Sequence, residues 1–234
     1  METYHILVVD DDREIVRSLS KLLELEGYRV YKAYNGLEAL DLLREQQIHL
    51  ILLDVMMPQL NGLSALMKIR EQNNIPVIIL SAKTEESDKV LGLSMGADDY
   101  VSKPYNTAEL MARVKSQLRR YFSLGAAVGG NDSNLLKNGG LILNRNTKEL
   151  LVDNEPVRLT ATEYKILELL MSHPGYVFSA EEIYTQIWQE AAIGVENTVM
   201  VHIRRIREKI EITPRKPKYL KVVWGIGYKI EKYD

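Results

Sequence analysis

The sequence predicts a doubly wound α/β sandwich on a parallel five-stranded sheet, followed by a smaller α+β domain. Three observations carry this reading. Over the first 120 residues, short apolar runs alternate five times with amphipathic stretches. A segment rich in Gly, Ser, Ala and Asn, SLGAAVGGNDSN at 123–134, then interrupts the chain with almost no charge. Beyond it the pattern changes to short strands, three helices and a closing hairpin. A chain of 234 residues accommodates two such domains, because single cores typically serve about 100–150 residues.

The first five units read ILVVD then IVRSLSKLLELEG; YRVYKA then GLEALDLLREQ; LILLD then GLSALMKIREQ; PVIILS then ESDKVLGLSMG; DYVSKP then TAELMARVKSQLRR. Near-continuous apolar strands joined by helices require a parallel sheet covered on both faces. Right-handed crossovers wind it doubly, and five such strands fit the flavodoxin-like order, whose ligand crevice lies at the carboxyl ends of the strands. In the second half, GLILN and ELLVDNEPVRL read as strands with an Asn-Glu turn. Thr160 and Glu163 form a capping box ahead of YKILELLMS, and His173-Pro174-Gly175 closes that helix. Ser179 caps a second helix, AEEIYTQIW, and a third runs from about Asn197 to Ile210. The hairpin YLKVVWGIGYKIEK turns at Gly225 to Gly227. Three helices closed by a hairpin make the winged-helix pattern. The expected boundaries are 1–122 for the first domain, 123–134 for the linker and 135–234 for the second domain.

Composition narrows the function. With 46% hydrophobic and 26% charged residues the chain is an ordinary globular protein. It has no cysteine, which excludes disulfides, thiolate metal sites and a thiol nucleophile and suits a reducing compartment. The N-terminal METYHILVVDDD lacks a basic segment followed by a long apolar one, and no stretch approaches the roughly 18 apolar residues of a membrane span. A cytoplasmic protein without membrane contact is expected. The net charge of −2 conceals a segregation: residues 197–232 carry ten basic against three acidic residues, whereas 145–196 carry four against nine. Basic concentration of this kind favours a polyanionic partner.

In a parallel sheet all strands point their carboxyl ends to one rim, so Asp10, Asp11, Asp54, Ser81 and Lys103 are expected to share a crevice. A single polar residue at a strand end marks only where water begins. Three carboxylates, a hydroxyl and an ammonium at four matching ends mark a site. Acids so placed repel unless a divalent cation joins them, and oxygen-only ligands in an open, hydrated site are those that Mg²⁺ prefers. A metal beside a carboxylate in a crevice suits phosphoryl transfer to that carboxylate, with a lysine neutralising the phosphoryl oxygens. Asp54 is the expected acceptor.

These residues occur in the order VVDD, LLDVMMP, LSA, GADDY and SKP. In that order and spacing, residues 1–122 resemble a two-component receiver domain, and the whole chain resembles a response regulator of the OmpR/PhoB family near its VanR-like branch. The resemblance implies phosphorylation of Asp54 by a sensor histidine kinase. It further implies Mg²⁺ held by Asp11, Asp54 and the backbone carbonyl of Met56, with Asp10 assisting through water. Lys103 and Ser81 would contact the phosphoryl group, Lys103-Pro104 would be a cis peptide, and Tyr100 would turn inward on activation. A homodimer of the phosphorylated form is implied through the fourth and fifth helices, with Lys89–Glu109, Asp99–Arg113 and Asp98–Arg120 as its ion pairs. An enzyme with an aspartyl-phosphate intermediate is the rival reading. It needs a second acid, and Met56, two residues beyond the acceptor, cannot serve.

The basic end carries the helix NTVMVHIRRIREKI. At about 100° per residue, Val199, Ile203, Ile206 and Ile210 form its core stripe. Asn197, Val201, Arg204, Arg205 and Glu208 lie opposite, with His202 and Arg207 at the flanks. Two arginines around a small apolar residue suit the major groove of double-stranded DNA, although Arg204–Glu208 also fits an exposed i,i+4 pair. In the family the wing usually carries Arg before Gly-x-Gly-Tyr; here Trp224 stands there, as in VanR-like members. Lys218, Lys221 and Lys229 remain to grip phosphate. The loop WQEAAIGVE corresponds to the family's contact with RNA polymerase.

Overall fold

The structure, a computed structural model, describes residues 3–82, 85–123, 134–189 and 195–233. The chain divides into two units, Met1–Leu118 and Arg119–Asp234. Ten residues of the expected linker, 124–133, and residues 190–194 of the WQEAAIGVE loop lie outside the described residues.

In the first unit the strands β1 (His5–Val9), β2 (Arg29–Ala33), β3 (Leu50–Asp54), β4 (Val77–Ser81) and β5 (Asp99–Ser102) form a parallel sheet in the order β2-β1-β3-β4-β5. This is the flavodoxin-like doubly wound topology expected from the alternation. The central strands β3 and β4 are buried at every position, as strands covered on both faces must be. Four helices join them, α1 (Arg13–Leu25), α2 (Gly36–Glu45), α3 (Gly62–Gln72) and α4 (Glu86–Ser94), and α5 (Thr107–Ser123) follows β5 and runs on past Leu118. Four of these helices begin at side-chain caps, α5 at Asn106, whose Oδ1 accepts from the Ala108 and Glu109 N–H groups. Asp12 accepts from the Glu14 and Ile15 N–H groups, Asn35 from Leu37 and Glu38, and Asn61 from Ser64, each satisfying donors a helix start leaves open. Because Asp12 and Asn35 stand two or three residues beyond the ends of β1 and β2, they fix how the chain leaves the sheet rim there.

The second unit begins with an antiparallel sheet, β6 (Leu135–Asn138), β7 (Leu141–Asn144), β8 (Leu150–Val152) and β9 (Glu155–Val157), paired in sequence order. The β8–β9 turn is Asp153-Asn154, with φ of 51° and 70°, one residue earlier than the expected Asn-Glu. A two-residue hairpin loop favours positive φ at both positions, which Asp and Asn tolerate far better than Glu. Helices α6 (Ala161–Ser172), α7 (Ala180–Trp188) and α8 (Glu196–Ile210) follow, then β10 (Leu220–Val223) and β11 (Gly227–Ile230). Both expected caps are present: Thr160 with Glu163, and Ser179 with Glu182, form complete capping boxes. The closing hairpin pairs Val223 with Gly227, so its tip is 224–226 and Gly227 belongs to β11. The core joins all three helices with the sheets, through Leu143, Tyr164, Leu167, Ile183, Trp188, Val199, Ile203, Ile206, Leu220 and Ile230 among others. This is the winged-helix arrangement.

Candidate phosphoryl-acceptor site and nucleic-acid interface

The parallel sheet brings the expected strand-end residues together. Asp10 and Asp54 are buried and Asp11 is exposed, and ligand oxygens of all three lie within 4.8 Å of one another. Lys103 bridges two of them, its Nζ 2.6 Å from Asp10 Oδ2 and 2.7 Å from Asp54 Oδ1. The other oxygen of Asp54 accepts the Met56 N–H at 2.7 Å, and Asp10 Oδ1 accepts the Asp12 N–H at 3.0 Å. Burial raises the pKa of the Asp10 carboxyl above its ordinary value, partly offset by the hydrogen bond from Lys103. For Lys103 burial acts against the ammonium and is outweighed by the bonds to Asp10 and Asp54, so its pKa lies above the ordinary lysine value. The crevice therefore holds a cation and two buried carboxylates that stabilise each other, with one exposed carboxylate at the opening.

Ser81 ends β4 fully buried, and its carbonyl accepts the Lys103 N–H at 2.7 Å. The Lys103-Pro104 bond is cis. Tyr100 is buried against α4, where a Cβ added at Gly92 would lie 3.3 Å from its ring and 2.7 Å from Ile79 Cδ1. Beside Lys103, burial pushes the Tyr105 phenol up.

One contributor carries no chemical signal in the sequence. Gly62, the first residue of α3, approaches the backbone of the acceptor so closely that an added Cβ would sit 1.9 Å from the Asp54 carbonyl oxygen. Its N–H donates to the Val55 carbonyl at 3.1 Å. Only a residue without Cβ closes the loop after β3 in this way.

The charged residues expected at a dimer face are engaged within the chain. Asp98 is fully buried and pairs with Arg70 at 2.7 Å, while Val77 N–H donates to the same oxygen at 3.1 Å. Arg113 bridges Asp99 and Glu109, at 3.1 and 3.0 Å. Lys89 is half-buried on α4. Arg120, within the span of the second unit, is buried and donates from Nη1 to the Ile187 carbonyl at 2.8 Å. The expected partners Asp98 and Arg120 are thus both committed elsewhere in this structure. A sequence reading cannot see Arg70, whose guanidinium also donates to the Gly96 and Ile75 carbonyls.

On α8 the core stripe is as expected, with Val199, Ile203, Ile206 and Ile210 all buried. The opposite face is not. Val201, His202 and Arg205 are buried as well, and the exposed line is Met200, Arg204 and Glu208. Arg205 turns to α6, where it pairs at 2.8 Å with Glu163, a fully buried carboxylate that also binds Lys209 at 2.6 Å. His202 packs against Trp188, ring centroids 5.5 Å apart. A helical wheel treats one helix alone, and the buried acid that claims Arg205 stands on another. Arg204 pairs with Glu208 at 2.9 Å, and Asn197 is half-buried. Arg207 Nε donates to the Leu220 carbonyl at 2.9 Å, which ties α8 to the hairpin. Among the wing residues, Lys218 is exposed beside Tyr219, Lys221 and Lys229 are half-buried, and Trp224 is exposed.

Comparison with known proteins agrees with this geometry. Residues 6–115 match the family described as response regulator receiver domain, and residues 154–230 that of the C-terminal domain of transcriptional regulatory proteins. The chain is 44% identical over 227 residues to the regulatory protein VanRc of Enterococcus gallinarum, a match spanning 97% of this chain and 98% of the relative. It is 43% identical over 228 residues to VanR of Enterococcus faecium, with the same coverage of 97% and 98%. The crystal structure of DrrB, described as a Thermotoga maritima OmpR/PhoB homolog, matches 98% of this chain and 100% of its own at 30% identity and a TM-score of 0.52. The chain belongs to the OmpR/PhoB family of two-component response regulators. A RitR mutant matches at 25% identity with a TM-score of 0.76, over 98% of this chain and 99% of its own. The response regulator is accordingly a DNA-binding transcription regulator and not an enzyme. Among the described residues no helix is long and apolar enough to cross a membrane.

Proposed function

We propose that Asp54 accepts a phosphoryl group from a sensor histidine kinase and that this event controls dimerisation and DNA binding. The observation that carries the proposal is the Lys103 ammonium held between Asp10 and Asp54 beside an exposed Asp11. With Oδ2 of Asp54 held by the Met56 N–H, Oδ1 is the oxygen that attacks phosphorus. The P–N bond to the donor histidine breaks, an acyl phosphate forms, and Lys103 transfers its hydrogen bonds to the phosphoryl oxygens. Oxygen-only donors within 4.8 Å of one another fit Mg²⁺. Asp11, Asp54 and the Met56 carbonyl would hold it, with Asp10 through water, and it would supply neutralisation of the charge on the transferring group.

The new charge and acceptor oxygens recruit Ser81, and the buried Tyr100 is the element whose position follows. Dimerisation through α4 and α5 would exchange the internal pairs of Arg113, Asp99 and Glu109 for pairs across a two-fold axis, drawing in Lys89, Asp98 and Arg120. In the second unit Arg204 is the exposed arginine of α8 and the base-reading candidate, supported by phosphate contacts from Lys218, Lys221 and Lys229. Recruitment of RNA polymerase through the loop after α7 completes the reading, in a cytoplasmic setting. Treatment with a small phosphodonor and Mg²⁺ tests it: an acid-stable, base-labile adduct mapping to Asp54 is expected. No adduct, or one that survives Asp54→Ala, contradicts it.

A further inference from the structure

Trp224 and Ile226 stand at the tip of the β10–β11 hairpin with 88% and 63% of their surface exposed. Among the described residues the Trp224 ring joins no aromatic or cation–π contact, whereas the second tryptophan, Trp188, is buried and stacked on Tyr184. Two large apolar side chains on either side of Gly225 are thus left to water at one turn.

The tip is rigidly mounted. Ile226 N–H donates to the Val223 carbonyl at 3.0 Å, and Gly225 takes a φ of 74° at the third turn position, where a positive φ favours glycine. Below it, Gly227 lies so near the Phe178 segment that a Cβ would stand 1.9 Å from the Phe178 carbonyl oxygen. Phe178 and Tyr228 exchange two backbone hydrogen bonds of 2.9 Å each, and Leu220 and Ile230 anchor the base in the core. Little ordering is left for a partner to impose, which favours binding.

Charge indicates which partner. Lys221 and Lys229 are register partners across the hairpin, and like charges directly opposite one another destabilise an antiparallel pair. Lys229 pairs with Glu231 at 3.1 Å, while Lys221 turns to the Pro217 carbonyl and not to a carboxylate. Arg207 binds the carbonyl at the start of β10. An apolar tip above a cationic base complements a duplex groove, where phosphates flank the apolar faces of the sugars.

We propose that Trp224 and Ile226 form an apolar wedge that enters the minor groove beside the segment read by α8 and bends the duplex, while Lys221 and Lys229 neutralise phosphates on the groove's rims. The preferred site would then contain a flexible pyrimidine–purine step where the wedge enters. This rests on the DNA binding of the family and replaces cationic readout by the wing with apolar pressure.

The test uses the full chain and a duplex selected by it from a random-sequence pool in the presence of a phosphodonor. Energy transfer between dyes at the duplex ends reads the bend. Acrylamide quenching of Trp224, isolated by subtracting the Trp224→Phe protein, reads its burial. Trp224 is expected to become severalfold less quenchable in the complex. Trp224→Ala and Ile226→Ala, checked for folding by circular dichroism, are expected to bind about tenfold more weakly, with the bend lost and the salt dependence unchanged. Lys221→Gln is expected instead to lower the salt slope by about one. The wedge is overturned if Trp224 stays quenchable in the complex, if Trp224→Ala bends the duplex as the wild type does, or if only RNA polymerase or lipid vesicles protect the ring. Failure of the wild type to bind any duplex would overturn the DNA-binding reading with it, whereas a tight complex with an exposed Trp224 overturns the wedge alone.

Discussion

Replacing Lys103 by Met should unfold the metal-free receiver more easily and make it depend on Mg²⁺. The ammonium, 17% exposed, sits 2.6 Å from one oxygen of Asp10 and 2.7 Å from one of Asp54, whose side chains are only 2% and 4% exposed. Without it two buried carboxylates face each other with oxygens within 4.8 Å, a repulsion of about 3.5 kcal/mol at an effective dielectric constant near 20. Removing one partner of a buried ion pair typically costs about 3–5 kcal/mol, so a loss of about 3 kcal/mol is expected near neutral pH. A site occupied at about a hundred times its dissociation constant regains about 2.7 kcal/mol. Mg²⁺ should therefore rescue most of the loss, and stabilise the variant more than the wild type, in which Lys103 competes for the same oxygens. Urea unfolding with and without Mg²⁺ reads this. Far-UV circular dichroism is the appropriate signal, because both tryptophans lie in the second unit. Equal stability of variant and wild type without Mg²⁺, or equal stabilisation of both by Mg²⁺, would refute the picture of a carboxylate pair held by one cation.

Gly62→Ala must push the loop after β3 away from the Asp54 carbonyl; a loss of about 2 kcal/mol in receiver stability and slower phosphorylation by a small phosphodonor are expected, and unchanged rates would remove Gly62 from the site. Glu163 is disfavoured as an anion by its burial, but Arg205 and Lys209 outweigh this and depress its pKa. Its contribution is therefore present above the ordinary carboxylate pKa and lost as pH falls through the depressed value. In Glu163→Gln that part of the acid dependence, measured by urea unfolding at a series of pH values, should disappear and stability near neutrality should fall by about 3 kcal/mol. Arg204→Ala should weaken operator binding and relax base preference with folding unchanged, whereas Arg205→Ala should first lower the melting temperature; the reverse order in calorimetry and binding assays would restore Arg205 to the groove face.

What the sequence made legible was what depends on local pattern and topology. Apolar runs ending in Asp54 and Ser81, read as parallel strands, place those ends on one rim whatever their separation in the chain. Capping boxes at Thr160 and Ser179 are spelled out over four residues. What the sequence left unseen are contacts between distant segments. Asp98 looks like a surface acid until Arg70, 28 residues away in sequence, is seen to hold it. Arg205 belongs to the polar face of an isolated helix and leaves it because Glu163 is buried nearby on α6. Gly62 reads only as the start of a helix, since its distance to the Asp54 carbonyl depends on how the intervening loop folds back. The tip of the hairpin shifted by one residue because Gly227 serves a close approach to Phe178 and not the turn.

On the proposed reading, a phosphoryl group on Asp54 sets the affinity of the second unit for DNA. Binding of the selected duplex, measured for wild type and Asp54→Ala before and after treatment with a phosphodonor and Mg²⁺, tests it most directly. A rise in affinity, accompanied by dimerisation, is expected in the treated wild type alone. The same rise in Asp54→Ala, or none in a wild type shown to be phosphorylated, would contradict it.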